Sequence, residues 1–273
     1  MKKVIYTILF CTMILLVACT STPDTSDESH ETQQESETKK ENNNENNDEI
    51  AVNKDQSNFE NESEPQYKLN DDWSISPIKE EMNEEVVLLT IDDAPDKYGL
   101  EMAKTLKELD AHAVFFVNGH FLNTPEKQEE LKKIHDMGFV IGNHTFNHAY
   151  LPELSKEEQR EEMVELNDLI EEIIGERPTF FRAPNGANTD YTKQLAEEEN
   201  MLLMNWSYGY DWEPEYQSKE AITEIMLETD LLNNGSNLLM HDREWTASAL
   251  ADIVSGLREK GYEIIDPHQI KTK

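Results

Sequence analysis

Cysteine is almost absent from this sequence. The chain has 273 residues but only two cysteines, Cys11 and Cys19, and both lie within the first twenty positions. The remaining residues hold no thiol, so no disulfide can staple a domain built from them. Cysteine is therefore excluded there as a nucleophile and as a metal ligand. Any chemistry must come from aspartate, histidine and arginine.

Basic residues are also scarce. The chain has 24 lysines and arginines against 57 aspartates and glutamates, which gives a formal net charge of −33. Such a chain repels nucleic acid and anionic lipid, and it has no basic patch that could follow a phosphate backbone. The composition excludes nucleic acid as a partner and favours a neutral or cationic substrate.

The apolar run at the start of the chain is short. Lys2 and Lys3 precede an apolar stretch at 4–16, and the letters Leu-Val-Ala-Cys end at Cys19. A transmembrane helix needs about twenty apolar residues, whereas this pattern is typical of a cleaved signal. It resembles a bacterial lipoprotein signal. The resemblance implies a signal peptide at 1–19, a lipid anchor on Cys19 and an extracytoplasmic protein held at the cell membrane.

Apolar residues are nearly missing from the next fifty positions. Residues 20–72 are rich in Ser, Thr, Glu, Asn and Gln, with 16 acidic and 4 basic residues. So few apolar side chains cannot offset the entropy lost on ordering, and the segment is predicted to be a disordered acidic tether. About fifty residues of this kind span roughly 40 Å. The globular domain is expected at 73–273, where the net charge is still about −23.

Beyond the tether, short apolar runs alternate with longer amphipathic stretches. The runs that indicate strands lie at 86–91, 113–117, 139–142, 179–182, 201–206, 237–240 and 262–265, and those that indicate helices lie at 100–109, 125–137, 156–174, 219–232 and 247–260. This alternation predicts an α/β fold with a parallel sheet, and seven such units indicate a (β/α) barrel. Several acids within 156–174 are expected on a solvated helix face, namely Glu157, Glu158, Glu161, Glu162 and Glu165.

Polar residues with useful chemistry follow the predicted strands. Asp92 and Asp93 end the first strand, His144 the third, Arg182 the fourth and His241 the sixth. The C-terminal ends of barrel strands converge on one face, where active sites are built. This distribution over several strand ends favours an enzyme more strongly than any single motif does.

The pair His144 and His148 is the main candidate for metal binding. Residues four apart on a helical turn point the same way, and a carboxylate from a neighbouring strand end could complete a three-ligand site with one open position, as catalytic zinc requires. Taken alone, an Asp doublet is commonly a turn or a helix cap. A spacing of four also arises easily among eight histidines. On adjacent strand ends the two motifs support each other.

Five motifs in this order resemble those of the polysaccharide deacetylase family, the fourth carbohydrate esterase family. They are Thr90-Ile91-Asp92-Asp93, His144 with His148, Arg182-Ala183-Pro184-Asn185-Gly186, Asp211-Trp212 and Leu239-Met240-His241. The resemblance covers about 86–266. It implies a distorted (β/α) barrel of about seven parallel strands and a catalytic domain at 73–273.

The resemblance also implies roles for the residues of the hydrolytic centre. Asp92 would be the general base and would be oriented by Arg182. His241 would be the general acid and would be tuned by Asp211. A divalent metal, usually zinc, would be held by Asp93, His144 and His148.

The walls of the pocket follow from the same resemblance. Trp212 and Leu239 would enclose the acetyl methyl group, and the backbone N–H of Asn185 would share the charge of the oxyanion. Asn185 itself replaces the family's usual loop tyrosine, and Ala94 stands where glycine is frequent. The stretch 206–212 is one residue shorter than the commoner spacing and lacks its first aspartate. None of these departures removes a predicted ligand, base or acid.

The leading hypothesis is a metal-dependent hydrolase that removes N-acetyl groups from an N-acetylglucosamine-containing polysaccharide. The lipid anchor and the tether would place it beside cell-wall glycan. Two alternatives remain open, an O-acetyl polysaccharide esterase and a non-catalytic glycan-binding lipoprotein on the same fold. No protein partner is implied.

Overall fold

The computed structural model describes residues 64–273. The predicted signal peptide at 1–19, Cys19 and most of the predicted tether lie outside these residues. Within the described part of the chain, no helix has both the length and the apolar character that crossing a membrane requires.

A short antiparallel hairpin opens the described chain. Its strands are β1 (Tyr67–Leu69) and β2 (Ile75–Pro77). Tyr67 is buried, and its carbonyl accepts a hydrogen bond of 2.8 Å from the Lys271 N–H near the chain end. Strand β1 lies within the range 20–72 that is predicted as tether. Its pairing with β2 and the contact of Tyr67 with Lys271 depend on tertiary structure, which the composition of these residues does not reveal.

Seven parallel strands form the central sheet. They are β3 (Val86–Ala94), β4 (Val114–Val117), β5 (Val140–Asn143), β6 (Phe180–Phe181), β7 (Leu202–Leu203), β8 (Ser236–His241) and β9 (Glu263–Ile264). Their order is β7-β6-β5-β4-β3-β8, with β9 paired to the start of β3. Each strand overlaps one predicted apolar run, although β6 and β7 keep only two residues each.

The sheet curls until its two ends nearly meet. The chain that leaves β7 reaches β8, where Tyr208 forms an isolated parallel bridge with Leu238. The Leu239 N–H donates to the Tyr208 carbonyl at 2.8 Å. The predicted distorted (β/α) barrel is confirmed, with an irregular segment rather than a regular strand completing the circuit.

Six helices connect the strands. They are α1 (Gly99–Glu108), α2 (Pro125–Asp136), α3 (Lys156–Ile174), α4 (Asp190–Glu198), α5 (Lys219–Glu228) and α6 (Glu244–Glu259). The helix α3 begins with a capping box between Ser155 and Glu158 and ends at Gly175, whose φ of 85° is left-handed. All the predicted helices are present. Helix α4 is additional, and its buried apolar side chains are Leu195 and Ala196.

Strand β3 runs through the middle of the molecule with both faces buried. Successive side chains point to opposite sides of a sheet, and each set joins its own apolar cluster. Val87, Leu89 and Ile91 pack beneath the helices, whereas Val86 and Leu88 pack inside the curl. The apolar run of β3 ends at Ile91. The two aspartates that follow lie at the C-terminal edge of the sheet.

Candidate active site

A cavity of about 400 Å³ opens at the C-terminal ends of the strands. Its walls are formed by Asp92, Asp93, His144, His148, Asn185, Trp206, Asp211, Trp212, Leu239, His241 and Arg243. The structure thus brings nearly all the sequence-predicted site residues together here. Arg182 lies buried beside the cavity and contacts Asp92, while Cys19 lies outside the described residues.

Asp92 and Asp93 both face the cavity although they are neighbours on one strand. In a regular strand, adjacent side chains point to opposite faces. Here the pairing of β3 with β4 shifts register between Ile91 and Ala94, and Asp93 has a left-handed φ of 62°. A bulge of this kind re-aims a side chain at the end of a strand. The doublet is therefore neither a simple turn nor a helix cap.

Arg182 positions Asp92 through a buried ion pair. The guanidinium is fully buried, and its Nη1 donates to Asp92 Oδ1 at 2.7 Å and to Thr90 Oγ1 at 2.8 Å. Its Nη2 donates to the Asn205 carbonyl at 2.8 Å, and its face lies 4.3 Å from the Phe116 ring centre. These contacts leave Asp92 Oδ2 directed towards His144 Nε2, 3.4 Å away.

Asp93, His144 and His148 form a compact cluster of metal-ligand types. Asp93 Oδ1 lies 3.9 Å from His144 Nε2 and 3.6 Å from His148 Nε2. One ligand atom from each residue lies within 4.8 Å of the other two. His148 adopts a left-handed φ of 55°, as Asp93 does in its own strand. Two of the three ligands thus depend on uncommon backbone conformations.

The partners of the ligands suit a bound cation. His144 Nδ1 lies 2.7 Å from the Arg182 carbonyl, which can only accept, so Nδ1 carries the hydrogen and Nε2 keeps its lone pair. Burial lowers the pKa of His144 despite the nearby aspartates, which favours the neutral, ligand-competent ring. Burial alone would raise the pKa of Asp93, but the surrounding histidines and Arg243 lower it, which keeps that carboxylate ionised.

These residues fit a divalent metal. Zinc bonds of about 2.0–2.2 Å place tetrahedral donors roughly 3.3–3.6 Å apart, close to the observed separations of 3.6 and 3.9 Å. One carboxylate and two imidazoles also make up a ligand set found in catalytic zinc sites. Asp93, His144 and His148 are therefore the residues that would hold the ion.

His241 lies in the same cavity and is paired with Asp211. Its Nδ1 is 2.7 Å from Asp211 Oδ1, while Asp211 Oδ2 accepts from the His241 N–H at 2.6 Å and from Thr246 Oγ1 at 2.7 Å. Burial would lower the pKa of His241, but the hydrogen bond and charge of Asp211, together with the charges of Asp92 and Asp93, raise that pKa. The Nε2 atom of His241 is left free of this pairing.

The remaining walls are apolar and aromatic. Trp212 is 43% exposed, and its ring centre lies 5.7 Å from that of His241 and 6.5 Å from that of Trp206. Leu239 is buried beneath them. Asn185 has a φ of 56°, a region that asparagine tolerates better than most residues. The family's loop tyrosine is missing there, but Trp206 supplies an aromatic wall at the same rim.

Sequence reasoning misses two residues that contact the site. Arg243 donates from Nη2 to Asp93 Oδ2 at 2.7 Å, so it holds the oxygen that faces away from the histidines. Glu162 bonds to the turn between the two histidines, whereas it was expected on a solvated helix face. Arg243 directly follows the His241-Asp242 pair, which is the one sequence signal that could have pointed to it.

The barrel and this constellation at its C-terminal face are those of a hydrolase active site. The chain belongs to the polysaccharide deacetylase family. The family profile described as polysaccharide deacetylase matches residues 79–203. A peptidoglycan-N-acetylglucosamine deacetylase of Bacillus cereus is 31% identical over 193 residues, which cover 67% of this chain and 70% of that protein.

Two further relatives have solved structures. The peptidoglycan-N-acetylmuramic acid deacetylase PdaC of Bacillus subtilis is 30% identical over 203 residues, which cover 72% of this chain but only 42% of PdaC. A PdaC structure matches with a TM-score of 0.60 over 68% of this chain and 90% of that one. BA3943 of Bacillus anthracis, described as a pseudoenzyme of the same family, matches at 27% identity and a TM-score of 0.60 over 66% of this chain and 63% of BA3943.

Proposed function

We propose that this protein is a metal-dependent deacetylase that hydrolyses N-acetyl groups of an N-acetylglucosamine-containing cell-wall glycan. One observation supports the activity above all others. The cluster of Asp93, His144 and His148 lies in a single cavity between Asp92, held by Arg182, and His241, held by Asp211. The names of the Bacillus cereus and Bacillus subtilis relatives, both peptidoglycan deacetylases, support the substrate class.

Asp92 is proposed as the general base. Asp93, His144 and His148 would hold a divalent cation, which would polarise the acetamide carbonyl and lower the pKa of bound water. Because Arg182 occupies Asp92 Oδ1, Asp92 Oδ2 is the oxygen that faces this centre. It takes a proton from the attacking water as the water oxygen bonds to the carbonyl carbon.

His241 is proposed as the general acid on the other side of the cavity. Its raised pKa favours the protonated ring, and its Nδ1–H is engaged by Asp211. The proton on Nε2 passes to the nitrogen of the sugar as the carbon–nitrogen bond breaks. The products are acetate and a free amino sugar.

The loop and the apolar wall position the acetyl group. The backbone N–H of Asn185 is proposed to donate to the oxygen that gains negative charge, a type of contact whose loss typically costs about 10²–10³ in turnover. Trp212 and Leu239 offer an apolar surface to the methyl group. Bulkier acyl groups are expected to fit this wall poorly.

The place of action follows from the N-terminal sequence. The proposed signal at 1–19 exports the chain, and the proposed lipid on Cys19 holds it at the outer face of the membrane. A tether spanning roughly 40 Å then lets the domain reach wall glycan.

Two variants distinguish the role of the proposed general base from that of a proposed metal ligand. Asp92→Asn is expected to lower turnover by about 10²–10⁴ while zinc stays bound, because the amide cannot accept the proton of water. His144→Ala is expected to lose zinc and activity together. Acetate release and bound metal are measured on the same purified samples. His112→Ala is the matched control, since its imidazole pairs with Asp266 away from the cavity.

The substrate panel separates the alternatives. N-acetylated chitooligosaccharides and peptidoglycan are compared with O-acetylated xylan, all with added zinc. Acetate from the N-acetylated substrates supports the proposal, and acetate from xylan alone favours an esterase. Glycan binding without acetate release would point to a non-catalytic lipoprotein. Equal metal loss in Asp92→Asn and His144→Ala would contradict the division of roles.

A further inference from the structure

The turn that carries His144 and His148 is held in an unfavourable backbone conformation. Thr145 has a φ of 67° and His148 a φ of 55°. Such left-handed conformations are costly for residues other than glycine, most of all for a β-branched one such as Thr145, and they persist only when neighbours impose them. The spacing of the two imidazoles therefore depends on contacts outside the turn.

The side chains of Asn118 and Asn143 bond to the backbone of His144 and Thr145, and helix α3 holds the two residues that follow. Glu162 Oε2 accepts from the Asn147 N–H at 2.7 Å, and Oε1 accepts from the Asn147 side-chain amide at 2.8 Å. The Glu162 carbonyl also accepts from the Phe146 N–H at 2.8 Å. One glutamate thus holds two successive residues of the turn, directly before His148.

Glu162 is buried although neighbouring glutamates on the same helix are not. Its relative exposure is 8%, whereas Glu161 and Glu165 on the same helix are exposed. Within residues 64–273, its side-chain hydrogen bonds all come from Asn147, and no basic side chain forms an ion pair with it. A carboxylate removed from water in an acidic domain is costly unless it is well bonded. The position is therefore better explained by the turn it holds.

We propose that Glu162 is a positioning residue that sets the affinity of the site for its divalent cation by fixing the turn between His144 and His148. Its action runs through hydrogen bonds to Asn147 rather than through its charge. This inference rests on the metal site of the proposed function, but it concerns how tightly that site binds.

Three variants of the full-length protein test the inference. Glu162→Ala removes both acceptors, and its zinc dissociation constant is expected to rise about 10–100-fold, the usual effect of losing support behind metal ligands. Glu162→Gln keeps one oxygen for the Asn147 N–H, and the Asn147 amide can rotate to meet the new donor. Its affinity is expected to stay within about threefold of the natural protein. Glu161→Ala is the matched control from the exposed face of α3.

Zinc affinity is measured by competition with a chromogenic chelator, without substrate, alongside the unfolding temperature of the metal-free protein. With zinc saturating, kcat of Glu162→Ala is expected to return to within about threefold of the natural value, because the base and the acid are untouched. A zinc affinity in Glu162→Ala equal to that of Glu161→Ala would overturn the inference.

The Gln variant keeps the inference testable even where Glu162→Ala folds poorly. An equal loss of affinity in Glu162→Gln and Glu162→Ala would also overturn the inference, because charge and not hydrogen bonding would then be at work. Failure of the natural protein to bind zinc would instead count against the proposed function.

Discussion

The proposed base and the proposed acid are held by partners of opposite charge. Asp92 contacts a buried guanidinium at 2.7 Å, and His241 contacts a buried carboxylate at 2.7 Å. A hydrolysis that removes one proton and delivers another needs two groups in different protonation states at one pH. The pairing of Asp92 with Arg182 and that of His241 with Asp211 favour different protonation states within a single cavity.

Asp211 is expected to control how far activity extends into alkaline solution. Because Asp211 raises the pKa of His241, the ring stays protonated at higher pH than an unpaired histidine would. Asp211→Asn removes that charge, so the alkaline limb of the kcat/KM profile is expected to move to lower pH. At neutral pH, turnover is expected to fall by roughly 10²-fold, as general acid catalysis weakens. A pH–rate profile of both proteins measures the shift.

Asp266→Asn serves as the control for that experiment. Asp266 forms a similar pair with His268 at 2.8 Å and raises the pKa of His268, but neither residue lines the active-site cavity. Its profile is expected to match that of the natural protein. An unmoved alkaline limb in Asp211→Asn would show that His241 is not the group titrating there.

Single residues could be assigned from sequence only where a motif surrounds them. Asp92, His144 and His241 stand in recognisable strings at strand ends, and the structure brings them into one cavity. Arg243 lies 150 positions from Asp93 in the chain, and no local pattern links the two. Glu162 lies among other glutamates of an amphipathic helix, so composition predicts solvent exposure where tertiary contacts impose burial.

At the scale of elements, the segment 206–212 approaches β8 closely. A β-carbon built on Gly209 would lie 2.5 Å from the Leu239 carbonyl oxygen and 2.9 Å from the Trp212 ring. Only a residue without a side chain leaves room for the bond between the Leu239 N–H and the Tyr208 carbonyl. The acetyl-pocket wall is thus built on backbone contact at Gly209.

Gly209→Ala is expected to damage both stability and the pocket. Overpacking against backbone costs about 1–3 kcal/mol, and relief requires Leu239 or Trp212 to move. We expect the free energy of unfolding to fall by that amount and kcat/KM to fall about tenfold or more. Urea unfolding and acetate release measure the two effects.

Gly175→Ala separates a loss of stability from a loss of the pocket. Gly175 ends α3 with a φ of 85° and open space around it, so alanine there costs about 1–2 kcal/mol through backbone strain alone. Its kcat/KM is expected to be unchanged. Full activity in Gly209→Ala would show that the wall tolerates displacement.

The strands of the sheet were the most predictable elements and the hairpin the least. Strands β3, β4, β5 and β8 are apolar runs whose two faces are both buried, one beneath the helices and the other inside the curl of the sheet. Strands β1 and β2 have three residues each, and Gln66 and Tyr67 also form backbone hydrogen bonds with Gln269 and Lys271. Segments of three residues are too short to carry a periodicity that a sequence pattern can reveal.

At the scale of the whole molecule, the chain combines an acidic catalytic domain with an N-terminal sequence suited to lipid attachment. With a net charge of −33, the protein is repelled by anionic lipid, and none of the helices between residues 64 and 273 is able to cross a bilayer. The proposed attachment to the membrane is the lipid on Cys19. Each buried methylene of a lipid contributes about 0.8 kcal/mol to anchoring.

Cys19→Ala is expected to move most of the protein from the membrane fraction to the soluble fraction. Cell fractionation and immunoblotting measure the distribution, and acetate release from isolated peptidoglycan measures activity, which is expected to be unchanged because Cys19 lies far along the chain from the site. Deacetylation of the wall in growing cells is expected to fall, since the released enzyme is diluted away from its substrate. Cys11→Ala is the matched control, because it removes the other cysteine of the chain but leaves the attachment position. Release of both variants alike would contradict a specific role for Cys19, and retention of Cys19→Ala at the membrane would assign anchoring to the apolar run at 4–16 instead.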